Sequence, residues 1–433
     1  MIKVSSTTFY LRHHNEINKY ISDKEKTLYI TGSLPKKSLN LGESIDVLVI
    51  DLENNIGSQL ESLSEYSLIV VTDIFELIDD VYIFLQKISK NLTEDGKLII
   101  STINNIWSPI LKIFEIMRLK NLSSDRSYMP IKKLHVIGRS AGFEKINFYT
   151  RQYIPFKLIG VGTIVNNFLE TLFIRFNLGI RTYLVFKKET KSHRTYLSKS
   201  IIVPAKNEEG NLEPLIERIP HLGENCEIII ACGTSQDRTL EVANSISKQD
   251  FEITVIEQSE NGKANAVWEA LDICKGDVVA ILDADISVEP EKLTDFFEII
   301  ELDRADFVNG TRLIYSMEKG AMRFLNVLGN RLFQRFISII IRQPLTDSLC
   351  GTKVFKIDQK ADIKNWQNTI NLKDPFGDYD LLFSAAYSGK QILELPIHYK
   401  KRTYGKTQIS RFRDGYKLIR YLLRSFVVLN ISR

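Results

Sequence analysis

Val278-Val279-Ala280-Ile281-Leu282-Asp283-Ala284-Asp285 joins an apolar run to two carboxylates separated by one small residue. The run follows Gly276-Asp277, and its length and composition predict a strand buried on both faces. Buried parallel strands carry their chemistry just beyond their carboxyl ends, so Asp283 and Asp285 belong at a sheet edge facing a crevice. Two hard oxygen donors there suit Mg2+ or Mn2+ bridging to a diphosphate, because these ions keep several waters and take one or two protein carboxylates. Such chemistry serves nucleotide-activated substrates. Asp pairs also cap helices and end strands, so the pair needs company before it reads as a site.

The surrounding pattern supplies that company. Strands are predicted at 200–203, 227–231, 252–256 and 277–282, with helices at 208–219, 237–247 and 263–274, a βαβ series with a mostly parallel sheet. A polar cluster follows each strand: Pro204-Ala205-Lys206-Asn207-Glu208-Glu209, Cys232-Gly233-Thr234-Ser235-Gln236-Asp237, Asn261-Gly262-Lys263 and Asp283-Ala284-Asp285. All four converge on one crevice if the strands are parallel. A mere strand terminator would not require Asn, Asp, Gly and Lys at the other three ends.

Composition bounds the rest. The chain has 433 residues, enough for two or three domains, and a formal net charge of only +4, which speaks against a nucleic-acid partner. The charge is unevenly spread. Lys319 to Thr346 holds five Lys/Arg and no acid, and Lys400 to Arg433 holds ten Lys/Arg against Asp414 alone, so both stretches call for an anionic partner. Cys226, Cys232, Cys274 and Cys350 lack metal-site spacing, which speaks against zinc and against a disulfide framework. The amino terminus lacks the apolar core of a signal peptide, and no run of 18 apolar residues occurs, so the expected location is cytoplasmic.

The half from about Leu197 onward resembles family 2 glycosyltransferases of the GT-A fold, particularly the dolichyl-phosphate mannose synthase-like branch. The motifs that carry the resemblance are the Pro204 segment, Gly233-Thr234-Ser235-Gln236-Asp237-Arg238-Thr239, Gly262-Lys263, the Asp283–Asp285 pair, Val308 to Arg312, Thr346 to Lys353, Gly377-Asp378-Tyr379-Asp380-Leu381 and Arg402 to Thr407. The resemblance implies a nucleotide-diphosphate sugar donor. It places Pro204, Ala205, Asn207 and Glu208 at base and ribose, Asp237 and Lys263 in the same pocket, and Asp283 and Asp285 on the metal and donor diphosphate. Asn207 and Asp237 also precede predicted helices and would cap them well. Asp378 falls where inverting relatives keep a carboxylate that deprotonates an acceptor hydroxyl, and Asp347 is placed with it as catalytic. Where relatives usually have Asp or Glu at the start of the second motif, this chain has Cys232, which alters the contact to the base.

Arg402, Lys406, Arg411 and Arg413 gather within twelve residues and suit the phosphate of a lipid acceptor, which is already ionised and needs no base. A hydroxyl-bearing glycan acceptor with Asp378 as base is the alternative. Two segments bear on membranes. Phe324, Leu325, Leu328, Leu332, Phe336, Ile339 and Ile340 recur at helical spacing beside Arg331, Arg335 and Arg342, and Tyr416 to Leu429 does the same with Lys417, Arg420 and Arg424. Helices of this kind lie in an anionic membrane interface, or pack on the core or on another copy of the chain.

Residues 1–188 read as another α/β unit, with strands near 27–31, 45–51, 67–71, 97–101 and 182–186. Leu68 to Ile103 and Ala141-Gly142-Phe143 resemble the later part of class I S-adenosylmethionine-dependent methyltransferases. Thr31-Gly32-Ser33-Leu34-Pro35-Lys36-Lys37 offers one glycine where a cofactor-binding turn needs several, so a degenerate domain that does not bind S-adenosylmethionine is expected.

Taken together, the sequence predicts two Rossmann-like α/β domains, the second of GT-A type: 1–188, a linker 189–196, a transferase domain 197–410 and a basic amphipathic helix 411–433. The expected activity is an inverting, divalent-metal-dependent transfer of a sugar to a polyprenyl phosphate or related envelope glycan, by a protein held peripherally at the cytoplasmic membrane. The competing classes are a nucleotidyltransferase, which would need a glycine-rich basic loop after the first strand, and a non-catalytic scaffold, suggested by Cys232 and the eroded first half.

Overall fold

The computed structural model describes residues 6–22, 25–32, 45–50, 56–61, 63–116, 129–153, 162–173, 176–190, 193–315, 324–374, 376–402, 404 and 411–431. The chain divides into two compact units, 1–191 and 192–433. Each is an α/β unit built on a mostly parallel sheet, the fold class expected from the alternation of strands and helices.

The first unit has six strands: β1 Thr27–Thr31, β2 Ile45–Val49, β3 Tyr66–Thr72, β4 Leu92–Ile103, β5 Phe143–Arg151 and β6 Arg181–Lys188. Their order is β2-β1-β3-β4-β6-β5, with β6 antiparallel to both neighbours. β5 was not anticipated, because Glu144-Lys145-Ile146-Asn147 reads as polar surface; its early residues are exposed in the structure. The glycine-poor turn at Thr31 to Lys37 lies outside the described residues beyond Gly32.

The second unit has seven: β7 Lys199–Ala205, β8 Cys226–Cys232, β9 Glu252–Glu257, β10 Val278–Ile281, β11 Phe307–Thr311, β12 Lys353–Lys356 and β13 Ile392–Pro396. Their order is β13-β11-β12-β10-β7-β8-β9, and only β12 runs antiparallel to its neighbours. The Ile and Val runs of β7, β8 and β10 are buried because helices cover both faces of a parallel sheet. Proline in a central strand is normally excluded by its missing N–H. Pro204 is tolerated because the pairing of β7 with β10 ends at Ile202, two residues earlier.

The order also locates the crevice. From β7 the chain steps to β8 and β9 on one side, and β10 lies on the other, so the carboxyl ends of β7 and β10 flank the point where strand order reverses. Ligands of open α/β sheets bind in the crevice at that point. The residues found there are Ala205-Lys206-Asn207 and Leu282-Asp283-Ala284-Asp285.

Candidate functional site

Asp283 and Asp285 stand where β10 has ended, and each meets a cation. Lys263 opens the helix Lys263–Ile273, and its Nζ lies 2.5 Å from Asp283 Oδ1. A lysine at a helix amino terminus opposes the helix dipole, and the neighbouring carboxylate offsets this. Burial alone would lower the Lys263 ammonium's pKa, but the charges of Asp283, Asp378 and Asp285 hold it above the ordinary lysine value. Burial likewise pushes Asp283 up, and Lys263 overrides it, leaving that carboxyl below its usual range. Gly351 closes over the pair: a Cβ there would stand 1.9 Å from Asp283 Oδ2 and 2.7 Å from Lys263 Nζ. Only a glycine fits without moving both.

Asp285 is oriented by the turn that follows it. Its Oδ1 accepts from Ser287 N at 3.0 Å and Ser287 Oγ at 2.6 Å. Between them Ile286 has a φ of 52°, a left-handed conformation that a β-branched residue adopts only under constraint. Asp285 Oδ2 accepts from an Arg402 Nη2 2.5 Å away, and the other Nη of Arg402 is 3.6 Å from Glu208 Oε1. Glu208 Oε2 accepts from Asn211 Nδ2 at 2.6 Å. Burial raises the Glu208 carboxyl above its ordinary value despite the Arg402 charge. Arg402, expected to bind an acceptor phosphate, lies on the strand-end carboxylates. Lys406 lies outside the described residues, as do the side chains of Arg411 and Arg413.

A third carboxylate closes the crevice. Asp378 begins the helix Asp378–Tyr387, after Gly377 in the left-handed region at φ 79°. Asp374 holds that helix start, accepting from Tyr379 N at 2.7 Å, Asp380 N at 3.1 Å and Phe376 N at 3.1 Å. Burial, then the charge of Asp380, raises Asp374 to about 7. Asp378 Oδ1 accepts from Lys353 Nζ at 2.6 Å, and the same ammonium donates to Cys350 O. Lys353 is fully buried and pairs with Ile281 in the register of β10 and β12, two residues short of Asp283. Sequence reasoning credited neither Lys353 nor Gly351 with a part in the site. A lysine opening the short apolar strand Lys353-Val354-Phe355-Lys356 was the available signal.

Asp347, expected as a catalytic acid, is paired with an arginine. It is fully buried, and Arg312 grips it with Nε to Oδ2 at 2.7 Å and Nη2 to Oδ1 at 2.9 Å. Arg312 N, Asn330 Nδ2 and Leu349 N add 3.0, 2.7 and 3.1 Å bonds. Burial would raise this carboxyl, but Arg312 and its other donors bring it down to about 2. Both oxygens are committed to these donors, and Asp347 fixes Arg312.

The predicted nucleotide side divides similarly. Pro204 and Ala205 end β7, and Ala205 O accepts from Gly233 N at 2.8 Å. Asn207 is left-handed at φ 55°, and its Oδ1 accepts from Gln236 N at 2.7 Å, tying the first loop to the second. Asp237 Oδ1 accepts from Thr239 N at 3.1 Å and from the Thr239 hydroxyl, and its Oδ2 from Glu209 N at 3.3 Å. Burial opposes these bonds but they prevail, and the carboxyl stays below its ordinary value. Asp237 thus ties the first residue of the helix Thr239–Ser245 to the backbone of the loop after β7.

These donors suit a hard dication that brings ligands of its own. Among the described residues no three His, Cys, Asp or Glu side chains form a metal cage. Asp283 and Asp285 could supply the one or two carboxylates that Mg2+ or Mn2+ takes from protein when a diphosphate and water complete the shell. Asp285 Oδ2 must then exchange Arg402 for the ion.

Residues 200–358 match the family model described as glycosyl transferase family 2. That stretch is a family 2 glycosyltransferase domain. The chain is 27% identical over 230 residues to the low-salt glycan biosynthesis hexosyltransferase Agl6 of Haloferax volcanii, covering 52% of each chain. It is 28% identical over 221 residues to a dolichyl-phosphate hexose transferase of the same organism, 51% of this chain and 90% of that one. To the dolichol-phosphate mannosyltransferase of Mycosarcoma maydis it is 26% identical over 239 residues, 52% and 76% of the two chains. The chain thus spans about half the length of the first of these relatives. Among solved structures, glucosyl-3-phosphoglycerate synthase of Mycobacterium tuberculosis, in complex with Mn2+, uridine diphosphate and glucosyl-3-phosphoglycerate, aligns with a TM-score of 0.39 at 17% identity, over 55% of this chain and 82% of that one.

Proposed function

We propose that the second unit is an inverting, divalent-metal-dependent glycosyltransferase that moves a sugar from a nucleotide diphosphate to a polyprenyl phosphate. The observation that carries this reading is the pair Asp283 and Asp285 at the carboxyl end of β10, beside the end of β7 at the point of strand-order reversal. Asp283 and Asp285 would hold Mg2+ or Mn2+, which supplies charge that stabilises the departing nucleotide diphosphate. Lys263 and Arg402 are placed to meet phosphate oxygens, Lys263 as a point charge and Arg402 as a fork. Asp378 bonds Lys353 and lies near enough for its charge to act on Lys263. Its charge is already shared with Lys353, which suits orienting an acceptor better than abstracting a proton, and a lipid phosphate arrives ionised. The hydroxyl-acceptor alternative requires Asp378 to leave Lys353.

The acceptor reading is supported by two helices that pack together through Arg342 Nε to Asn430 Oδ1 at 3.3 Å and Asn430 Nδ2 to Ile340 O at 3.1 Å. Phe324–Ile341 exposes Leu332, Phe336 and Ile339 beside Arg331 and Arg335, and Arg411–Asn430 exposes Tyr416, Ile419, Leu423 and Phe426 beside Lys417, Arg420 and Arg424. Apolar side chains interleaved with cations suit an anionic membrane surface. Among the described residues no helix is long and apolar enough to cross a membrane, so the attachment proposed is peripheral, on the cytoplasmic face.

For the first unit the proposal is a methyltransferase-like domain that does not methylate. Its own strand-order reversal lies between β1 and β3. There the buried Arg181 places Nη2 2.9 Å from Asp73 Oδ1 and donates from Nη1 to Ser101 Oγ at 3.0 Å, a charge pair at the strand ends where a cofactor would bind.

Mass spectrometry of products from a nucleotide-sugar panel, incubated with Mn2+ and a membrane lipid extract, tests the reading. A glycosylated lipid phosphate is expected, with Asp285→Ala folded and inactive. Undiminished turnover by Asp285→Ala refutes the metal site. A large loss in Asp378→Asn selects the hydroxyl acceptor, and a mild loss the phosphate.

A further inference from the structure

The ends of β7, β8 and β9 are stepped together: Gly233 N donates to Ala205 O at 2.8 Å and Gln258 N to Cys232 O at 2.9 Å. They form the floor on which the base half of a donor nucleotide would rest, away from the phosphate end at β10. The groups on that floor are largely committed. Cys232 is buried and uncharged, its thiol pushed up to about 11 by burial and by the Glu257 charge. Asn207 and Asp237 hold the loop backbone, and Glu208 is divided between Asn211 and Arg402. Gln258 differs. Its carboxamide lies against Gly233, with Cδ, Nε2 and Oε1 each 3.3 to 3.4 Å from where a Cβ of Gly233 would stand. Among the described residues the amide group of that side chain has no hydrogen-bond partner, so its donor and its acceptor are both open. Gly233 is what lets the amide lie flat at the strand end.

We propose that Gln258 reads the base of the donor nucleotide, and that its carboxamide selects the imide edge of uracil. One amide oxygen accepts the imide N–H while the amide NH2 donates to the adjoining carbonyl, a two-point match between neutral groups. Guanine presents two adjacent donors at its N1 and 2-amino positions, which match a carboxylate better than an amide. Cys232 removes a carboxylate from this floor, and Gln258 substitutes a neutral reader. The inference rests on the proposed nucleotide site and adds to it the base that the site selects.

Isothermal titration of the full-length protein with UDP and with GDP, each in the presence of Mn2+, tests both layers. Wild type should bind UDP more tightly than GDP. Gln258→Leu should weaken UDP about tenfold, the scale of one lost hydrogen-bond pair, and Gln258→Glu should reverse the order of the two nucleotides. Wild type preferring GDP, or both variants keeping the wild-type UDP affinity and UDP-to-GDP ratio, overturns the role of Gln258 and leaves the nucleotide site standing. Wild type binding neither nucleotide overturns the site itself. Circular dichroism and thermal unfolding of each variant are recorded alongside, and since Gln258 is only half-buried with an unbonded amide, both variants are expected to match wild type.

Discussion

Asp347→Asn separates a structural acid from a reacting one. The carboxyl of Asp347 moves from an ordinary value of 3.8 to about 2 on folding, a change that favours the folded state by about 2.5 kcal/mol. Removing its charge also leaves the Arg312 guanidinium buried without its partner, and breaking a buried pair from one side costs about 3–5 kcal/mol. Asparagine keeps part of the bonding from Asn330 and the backbone, so the lower end of that range, about 3 kcal/mol, is the expected loss. For a unit of this size each kcal/mol shifts the melting temperature by about 2–4 °C, giving a fall of about 6–12 °C. Differential scanning calorimetry near neutral pH measures it. The direction with pH follows from the depressed carboxyl: its contribution is present above 3.8 and is lost as pH falls toward 2, so the gap between wild type and variant should close on acidification. A variant that melts with wild type yet has lost turnover would refute the reasoning and return Asp347 to catalysis.

Three further outcomes follow from the geometry. Asp374, raised to about 7, keeps its proton in the folded chain after the unfolded chain has lost it, so its contribution to stability is full below about pH 4 and lost as pH rises through about 7; urea titrations from pH 4 to 8 should show that decline flattened in Asp374→Asn. Gly351→Ala places a methyl on Asp283 and Lys263, and Mn2+ binding measured by electron paramagnetic resonance with UDP present should drop at least tenfold, while far-ultraviolet circular dichroism stays that of wild type; unchanged affinity would mean that Asp283 takes no part in holding the ion. Phe336→Glu combined with Leu423→Glu puts acids on the exposed apolar stripes, and co-sedimentation with phosphatidylglycerol vesicles should fall to the level seen with neutral phosphatidylcholine. Retained sedimentation of that variant would end the case for these helices as the membrane face.

Much of this was open to reading because buried parallel strands advertise themselves. The Ile and Val runs of β7, β8 and β10 each end in polar residues, which fixed both the sheet and the place of Asp283 and Asp285. The short strands were harder. β11 carries Asn309 and Gly310, and β12 is four residues with a lysine at each end, so neither shows a period that a strand must show. Partners were harder still. Nothing in the spacing of Asp347 tells that Arg312 will grip it, since that contact depends on β11 and the segment before β12 meeting side by side. Arg402 was expected from sequence to meet a phosphate, but its seat on Asp285 is set by the return of the chain after β13, where Lys400 N bonds to Ser287 O at 3.0 Å. The flat amide of Gln258 was invisible, because glutamine at a strand end is ordinary surface until the glycine beneath it is known.

The guanidinium of Arg402 on Asp285 has a consequence for how the protein matures. In many metalloproteins the naked ligand cluster repels itself, and folding waits for the ion. Here each strand-end acid already has a tethered counter-charge, so the chain can reach its native shape in a chelated medium and be loaded afterwards. On the proposed metal site, an ion arriving by itself would have to evict Arg402, whereas one carried in on a diphosphate would offer that same arginine a new anion to hold. A single side chain would then set the order of arrival.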